Sequence, residues 1–580
     1  MARILVAGRQ VTIIGLKSIP LSQFFRKRGP NNTLACPTVG KEYRTENLSY
    51  LTLVDARKSY SSLREVIPMR EEPLVKRQEV LHQEILIIPE VELMKGLERL
   101  GVIRKLSRKN PDWKHKDLFR LLHKEDIWIA AYKNIKGLTS GVTKETLDGL
   151  GRKVQMKVLE EGYQFKPVRL KWIPKANGPK RPLGIPTRDK LVQEVIRMVV
   201  AAIYEPNFDN RSFGFRSGMG VHDSLEYVEK QFRWVDWVIQ GDINSAYPTI
   251  EDKKLCEILS HRIDDGRFMN LIRKSLKCGV WNNPQTLYSK LGIPQGSIVS
   301  PIIANIYYNQ LDRWVTQKSK DQVLIQNNLI LKGLIQQRNH DQGIEIRYTR
   351  YADDWIIGIQ GPRKLAELIK DEVGCFFRNH LNQELDPNKT KVIDLRAGIV
   401  YFLGYDIFLP RNMKLVKYKG KGKQTMPMST PMLRFQLPVD KVTKRLQERG
   451  YITYVDKKLR PTSKSSSTPL EDAAIVNHFK SVWLELFNFY SGCTNRSHLQ
   501  YIHYLLHMSC AMTLAHRHRS SSSKIFKKHG KRLEIMEKKG NTQKVIAFFP
   551  YHTNWKISDR KWQTAKTFQN PFTTAYPRLT

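Results

Sequence analysis

Three aspartates in two short segments are the residues of this chain best suited to chemistry. Residues 237–247 form an apolar run that reaches Asp242 and then becomes helical in pattern. In residues 350–359, two arms of β-forming residues flank an Ala-Asp-Asp sequence containing Asp353 and Asp354, which predicts a hairpin with acids at its turn. Adjacent aspartates at a tight turn repel each other unless a cation neutralises them. Beside a third carboxylate on a neighbouring strand, they would form an all-oxygen site suited to Mg²⁺.

Such a site has a specific chemical use. Two Mg²⁺ ions about 4 Å apart, for which Mn²⁺ can substitute, would activate a 3′-hydroxyl and stabilise a leaving pyrophosphate in an in-line displacement. Taken alone, the pair Asp353 and Asp354 is more simply a solvated turn. The chemical interpretation therefore depends on the rest of the chain.

The charge of the chain favours nucleic acid as its partner. The 580 residues include 97 Lys and Arg against 55 Asp and Glu, a net charge of +42. Such an excess costs self-repulsion unless a polyanion offsets it, and each phosphate that a protein neutralises releases counterions and adds affinity. A ribosomal or membrane-surface protein is the alternative. No uninterrupted apolar run reaches about 18 residues, so we expect no transmembrane helix and no membrane partner.

The cysteines argue against two further classes of protein. They are scattered and include no Cys-x-x-Cys pair, which disfavours a zinc ribbon and a disulfide framework. We therefore expect no zinc. Cysteines without disulfide partners are also compatible with a reducing cellular compartment. The six are Cys36, Cys256, Cys278, Cys375, Cys493 and Cys510.

Composition divides the chain into four stretches. Residues 1–110 show weak periodicity and are predicted to be an extension; as far as residue 41 they are rich in Arg and free of acids, as in an organelle-targeting segment or an RNA-binding arm. Residues 111–410 alternate short apolar runs with helical patterns, which is typical of a mixed α+β unit. Residues 411–540 open with a Lys/Gly/Pro/Ser-rich stretch and turn helical from about 471. A basic tail, 541–580, follows, and the residues from 411 onward hold 32 Lys and Arg against 9 Asp and Glu.

Residues 351–354, Tyr-Ala-Asp-Asp, resemble the catalytic box of reverse transcriptases, in particular those of group II introns. Further segments resemble other signatures of that family in the family's order, namely residues 128–142, 169–189, 212–216, 292–297, 388–391 and 402–405. The resemblance implies an α+β right-hand polymerase, with fingers and palm over 111–410 and a helical thumb and maturase domain (domain X) over 411–540. One departure is Tyr247-Pro248, where family members often have Phe-Asp.

The resemblance also implies roles for individual residues. Asp242, Asp353 and Asp354 would be catalytic, with Asp242 and Asp353 as the main metal ligands and Asp354 and the Ile243 carbonyl assisting. The residues expected at the nucleotide are Lys175, Arg181, Tyr247, Gln295 and Gly296, and those expected at the primer end are Phe402, Leu403, Gly404 and Tyr405. Tyr247 is alternatively a core aromatic residue, and the two cations are alternatively solvated charges.

The carboxyl-terminal third resembles the thumb and maturase domain of the same family over residues 472–491 and 513–528. Aromatic residues interleaved with cations suit stacking on unpaired bases and gripping of phosphate, although an amphipathic bundle with a solvated basic face is the alternative. The residues predicted to bind RNA are Arg496, His516, Arg517, His518, Arg519, Lys524, Lys527 and Lys528. The tail at 541–580 is a candidate DNA-binding remnant. No cysteine follows Cys510, so we expect no zinc-supported HNH endonuclease.

The resemblance implies a reverse transcriptase and maturase: an RNA-directed DNA polymerase that also binds group II intron RNA and assists its splicing, with intron mobility as an extension. Its expected partners are that intron RNA, an RNA template, a DNA primer and dNTPs, and a dimer is one option for its assembly. The alternative is a splicing-only maturase whose polymerase site is unused. The expected location is the mitochondrion or another organelle, with the bacterial cytoplasm as the alternative.

Overall fold

The computed structural model describes residues 3–7, 10–14, 95–135, 158–160, 163–173, 181–185, 189–282, 285–287, 293, 296–321, 344–410, 432–456, 458–539, 542–548 and 562–564. The chain forms two compact units, Met1–Leu86 and Ile87–Thr580. In the described part of the first unit, β1 (Arg3–Ala7) pairs with β2 (Gln10–Ile14) as an antiparallel hairpin. All other described elements belong to the second unit.

Twelve α-helices lie in the described part of the second unit. In its first part they are α1 (Gly96–Lys109), α2 (Glu125–Asn134), α3 (Asp189–Tyr204), α4 (Val221–Gln231), α5 (Asp252–Ser260), α6 (Gly266–Leu276), α7 (Ser300–Lys320) and α8 (Arg363–Leu381). In its second part they are α9 (Val439–Glu448), α10 (Asp472–Phe489), α11 (Arg496–Arg517) and α12 (Ser522–His529). The helical pattern predicted from about residue 471 is thus confirmed by α10 and α11. No described helix combines the length and the apolarity that a membrane crossing requires.

The strands form small antiparallel sheets with one parallel pair. They are β3 (Val168–Ile173), β4 (Arg181–Ile185), β5 (Trp237–Gly241), β6 (Val280–Asn282), β7 (Gln285–Leu287), β8 (Glu345–Tyr351), β9 (Asp354–Gln360), β10 (Lys391–Asp394), β11 (Val400–Phe402), β12 (Tyr405–Phe408), β13 (Arg434–Gln436), β14 (Ile452–Val455), β15 (Lys458–Pro461), β16 (Ile535–Lys539) and β17 (Thr542–Ile546). The first sheet has the order β4-β3-β6-β7, with β3 parallel to β6.

A four-stranded antiparallel sheet of order β10-β5-β9-β8, called the central sheet below, lies between two hydrophobic cores. Because side chains alternate between the faces of a strand, Ile239 and Ile357 face the core that contains α3, α7 and α8. Val238 and Ile356 face the second core, which contains α4, the sheet β11-β12-β13 and helices α10 and α11. The central sheet therefore connects the amino-terminal half of the second unit to its carboxyl-terminal half.

Helix α3 is the centre of the first core. Val192, Val195, Ile196 and Val199 recur at helical spacing and are fully buried. The helix contacts α1, α2 and α7. Its one arginine within this apolar run, Arg197, is satisfied locally because its guanidinium donates to both carboxylate oxygens of Glu194 at 2.7 and 2.6 Å.

A buried ion pair fixes the hairpin formed by β8 and β9. The Arg350 guanidinium donates two hydrogen bonds to the Asp312 carboxylate, at 2.8 and 2.6 Å, and neither side chain is more than 1% exposed. The Tyr348 hydroxyl donates to the same carboxylate at 2.7 Å. Arg350 also donates to the side-chain oxygen of Asn305 at 2.9 Å and to the Ala352 carbonyl at 2.8 Å. The network thus joins α7 directly to the turn that carries the acids.

Gly214 lets a loop approach the same turn closely. A Cβ atom at this position would lie 2.2 Å from the backbone nitrogen of Ala352, which is too close for any side chain to fit. The Asn305 side chain donates to the Gly214 carbonyl at 2.7 Å, which holds the loop in place. The loop at 212–216 and the turn at 352–353 therefore support each other through the backbone.

We predict that Asp312→Ala lowers the free energy of unfolding by about 3–5 kcal/mol, because it leaves a buried guanidinium without its counter-ion. The measurement is urea unfolding followed by circular dichroism. Glu367→Ala is the control, since its partner Arg363 and Glu367 itself are 66% and 46% exposed and such pairs contribute about 1 kcal/mol or less. Equal losses for the two variants would contradict the importance of the buried pair.

We predict effects of opposite sign for the same substitution at two glycines. Gly214→Ala should lower stability by about 1–3 kcal/mol, because the backbone of Ala352 has to move away from the new methyl group. Gly101→Ala should raise it by roughly 0.5–1 kcal/mol, because Gly101 lies on an exposed part of α1 with open space around it. Thermal unfolding of the two variants beside wild type tests both, and a stable Gly214→Ala protein would refute the close approach.

Candidate active site and nucleic-acid interface

The register of the central sheet brings the predicted acids to one end of the sheet, where β5 ends and β9 begins. This end is called the edge with the acids below. The hairpin predicted at 350–359 is confirmed, since Tyr351 pairs with Asp354 across a two-residue turn. On the other side of β9, Trp355 pairs with Gly241, the last residue of β5. Asp242 follows Gly241 directly at the end of β5, and Asp354 is the first residue of β9, directly before Trp355.

Asp353 lies in the two-residue turn between β8 and β9. Ala352, which precedes it, has a positive φ of 58° and is buried, so the turn is held in a specific conformation. The buried Tyr308 hydroxyl donates to the Ala246 carbonyl at 3.0 Å. Burial, and then the nearby Asp353 carboxylate, raise the pKa of Tyr308 well above its usual range. Asp353 is therefore close to the segment around Ala246.

A lysine contacts the carboxylate of Asp242. The Lys389 ammonium lies 2.6 Å from an oxygen of Asp242 and 3.1 Å from one of Asp386, and these two hydrogen bonds raise the pKa of Lys389. The Asp386 backbone N–H donates to the Asp242 carbonyl at 2.9 Å. The segment from Leu385 to Lys389 thus runs along Asp242, and one positive charge offsets that acid.

The donor set suits a hard cation, but its side chains are not assembled as a metal site. Asp242, Asp353 and Asp354 are all partly or fully exposed and offer only oxygen, as Mg²⁺ prefers. Within the described ranges, however, no three acids, histidines or cysteines stand ready to hold one ion. Ile243 is buried and bridges to Leu385, and the two hydrogen bonds beside that bridge do not use its carbonyl.

The predicted nucleotide contacts are only partly within the described residues. Lys175 and Gln295 lie outside them, and Arg181 is the first residue of β4 without a described side chain. Gly296 is exposed and has a φ of 106°, a conformation that favours glycine. Tyr247 is 7% exposed within the first core, which is the placement of a core aromatic residue. Its role beneath a nucleotide stays a prediction.

The segment predicted to grip the primer is a tight hairpin. Leu403 and Gly404 form the turn between β11 and β12, with φ values of 48° and 84°. Phe402 and Tyr405 flank the turn and are buried in the second core, so only the turn is accessible to a ligand. The side chain of Gln240, two residues before Asp242, donates to the Tyr401 carbonyl at 2.8 Å. The hairpin and the edge with the acids are therefore tied together.

The basic residues predicted to bind RNA fall into two groups. Four contact the protein itself: Arg517 and His518 both lie within 3.0 Å of the Asp472 carboxylate, His516 contacts Ser463, and Arg496 donates to the Ser491 carbonyl. The other four are exposed, and within the described part of the chain their side chains have no hydrogen-bonding or ionic partner: Arg519, Lys524, Lys527 and Lys528. The second group, mostly on α12, is the one available to phosphate.

Two residues that matter to this edge were not assigned a role from the sequence. Lys389 belongs to the segment 388–391 that resembles a palm signature, and its spacing from Asp386 was the available signal. Asp312 had no signal, because a single acid in an amphipathic helix looks like a surface residue until its burial is known.

Comparison with known proteins identifies two regions. The family described as "Reverse transcriptase (RNA-dependent DNA polymerase)" matches residues 173–407. The family described as "Type II intron maturase" matches residues 430–569. The first region contains the three aspartates, and the second contains α10, α11 and α12.

Individual relatives agree with these matches. The chain is 32% identical over 478 residues to the Group II intron-encoded protein LtrA of Lactococcus lactis, covering 74% of this chain and 78% of that protein. It is 30% identical over 511 residues to the uncharacterized 91 kDa protein in cob intron of Schizosaccharomyces pombe, covering 79% of this chain and 62% of that protein.

A shorter match is to the uncharacterized mitochondrial protein ymf11 of Marchantia polymorpha, at 30% identity over 36% of this chain and 31% of that protein. The chain therefore spans less than two thirds of the length of some relatives and more of others. The resemblance seen in the sequence is confirmed: the chain belongs to the family of group II intron-encoded reverse transcriptases and maturases, with an α+β fold of the right-hand polymerase type.

Proposed function

We propose that this protein is an RNA-directed DNA polymerase that also binds a group II intron RNA and assists its splicing. The observation that carries the polymerase assignment is the pairing of Gly241 with Trp355, which puts Asp242 and the 353–354 turn at the same edge of the central sheet. The maturase match and the exposed lysines of α12 support the RNA-binding assignment. Intron mobility would be an extension of the same two activities.

Asp242, Asp353, Asp354 and the Ile243 carbonyl would hold two Mg²⁺ ions, or Mn²⁺ in their place. When bound, such ions lower the pKa of a 3′-hydroxyl and offset the charge of a leaving pyrophosphate. In the protein alone, Lys389 offsets the charge of Asp242 at 2.6 Å. Its flexible, 64% exposed side chain can move aside without disturbing the core.

The other substrates would surround this edge. The turn formed by Leu403 and Gly404 would support the primer end, because it is the accessible part of the hairpin beside β5. Lys175 and Arg181 would neutralise a dNTP triphosphate, and Gln295 and Gly296 would approach its base or sugar with Tyr247 behind them. An RNA template would complete the substrate set.

The relatives support two locations for this protein. A Marchantia polymorpha relative is called mitochondrial, which supports the mitochondrion or another organelle. The Lactococcus lactis relative supports the bacterial cytoplasm as the alternative. A splicing-only maturase remains the second candidate function, because the exposed cations of α12 do not require a working polymerase site. Primer extension by the wild-type protein separates the two candidates.

We predict that Asp353→Ala lowers primer extension on an RNA template by roughly 1,000-fold, because an ion that supplies several kcal/mol of charge stabilisation loses a main ligand. The affinity for intron RNA should be unchanged. Asp371→Ala, which removes a 73% exposed carboxylate from α8, is the matched control and should extend primers normally. Extension by Asp353→Ala at the wild-type rate would defeat the polymerase assignment.

We predict that replacing Lys524, Lys527 and Lys528 together by Gln weakens binding of intron RNA. The slope of log affinity against log salt concentration should become shallower by about 2–3, since each lost phosphate contact removes close to one unit. Filter binding at several salt concentrations measures this slope. The control removes the same charge from three lysines that are already paired with glutamates: Lys230, Lys254 and Lys318. Equal changes for both triple variants would rule out a specific surface on α12.

A further inference from the structure

A tryptophan from the tail predicted at 541–580 lies inside the second unit. The indole of Trp562 is 5.6 Å from the ring of Tyr405, 5.2 Å from that of Phe435 and 5.5 Å from that of His222, measured between ring centroids. It also covers Gly492, where a Cβ atom would lie 2.2 Å from the indole. The seat of Trp562 is therefore built from α4, β12, β13 and the loop that follows α10.

Polar contacts fix the orientation of this segment. The indole N–H of Trp562 donates to the Glu229 carboxylate at 2.5 Å, and the Gln563 side chain donates to that of Asn488 at 3.2 Å. The Gln563 backbone N–H donates to Nδ1 of His222 at 2.8 Å. Burial lowers the pKa of His222, in keeping with a neutral ring that accepts at Nδ1.

The contacts continue from His222 to the turn expected at the primer. Nε2 of His222 lies 2.8 Å from the Phe489 carbonyl oxygen, and because a carbonyl only accepts, this nitrogen is the donor. The Tyr405 hydroxyl donates to the same carbonyl at 2.5 Å. Phe489 is the last residue of α10, so its carbonyl has no partner within the helix. Its ring lies 2.9 Å from the place of a Cβ atom on Gly404.

We propose that Trp562 is a positioning residue for the primer end: through Tyr405, His222 and Phe489 it holds the turn formed by Leu403 and Gly404 against the end of α10. The inference rests on the proposed polymerase function and gives the tail an intramolecular role in place of DNA binding. The hairpin that carries the turn is short: β11 and β12 pair over three residues, and β12 pairs with β13 over three more. The ring of Phe489 packs against the turn, and the two side chains that hydrogen-bond its carbonyl, His222 and Tyr405, both pack against Trp562.

The test is steady-state primer extension by the full-length chain carrying Trp562→Ala or Gly492→Ala. The second variant leaves Trp562 intact and blocks its seat with one methyl group. We expect both to raise KM for the primer–template and to lower kcat/KM by up to about 100-fold, as misplacement by about 1 Å can do. The double variant should match the single ones, because both remove the same contact. Trp234→Ala, at a 59% exposed tryptophan, is the control.

The readouts separate positioning from stability. Rates are expressed per active site after titration with a chain-terminating nucleotide, so that unfolded protein does not lower the apparent kcat. A loss confined to the number of active sites, with KM and the rate per site unchanged, would overturn the proposal. Glu229→Gln keeps an acceptor for the indole and should behave nearly as wild type.

Two further outcomes are distinct. If wild type does not extend primers, the polymerase assignment fails. If wild type extends primers and both variants keep its KM, only the positioning role fails. If the tail binds DNA, the variants should lose affinity equally for a blunt duplex and for a primed template. If Trp562 positions the primer end, they should lose affinity only for the primed template. Equal losses on both would overturn the inference.

Discussion

The pairing of β5 with β9 is the constraint on which the rest of the second unit depends. A slip of one residue would exchange Val238 and Ile356 with Ile239 and Ile357, and so would exchange the side chains that face the two cores. Gly241 fixes the register further, because the ring of Trp355 occupies the space where a Cβ atom would lie. The position of the acids is thus a by-product of apolar packing on both faces of one sheet. The carboxylates themselves repel each other and contribute nothing to this placement.

The second unit uses its large positive charge in two ways. Some basic side chains contact acids within the protein. Arg517 and His518 both contact the Asp472 carboxylate and so join the end of α11 to the start of α10. Others, such as Lys524 and Lys527 on α12, extend into solvent. The internal pairs hold the helices together with modest energy, because both partners remain partly exposed. The surface cations cost repulsion in the free protein, which a polyanionic partner would relieve.

Much of this arrangement could be predicted from the sequence, and the rest could not for physical reasons. The Ala-Asp-Asp hairpin and helices α10 and α11 are local, so alternation and helical spacing were enough to identify them. Arg517 and His518 were expected to face RNA, because a charge pattern gives no information about a distant partner such as Asp472. The same limit applies to Trp562, which stands in a basic tail and contacts Glu229, 333 positions away in sequence.

The ammonium of Lys389 changes how the persistence of the acids should be understood. Mutual repulsion among carboxylates suggests that a chain without catalytic use for them would soon discard them. Here Asp242 has an internal counter-ion at 2.6 Å, and its neighbours are open to water. The fold therefore carries little electrostatic burden from the acids. A relative that only assists splicing could keep the same carboxylates at little cost in stability, and polymerase activity could later be regained from them.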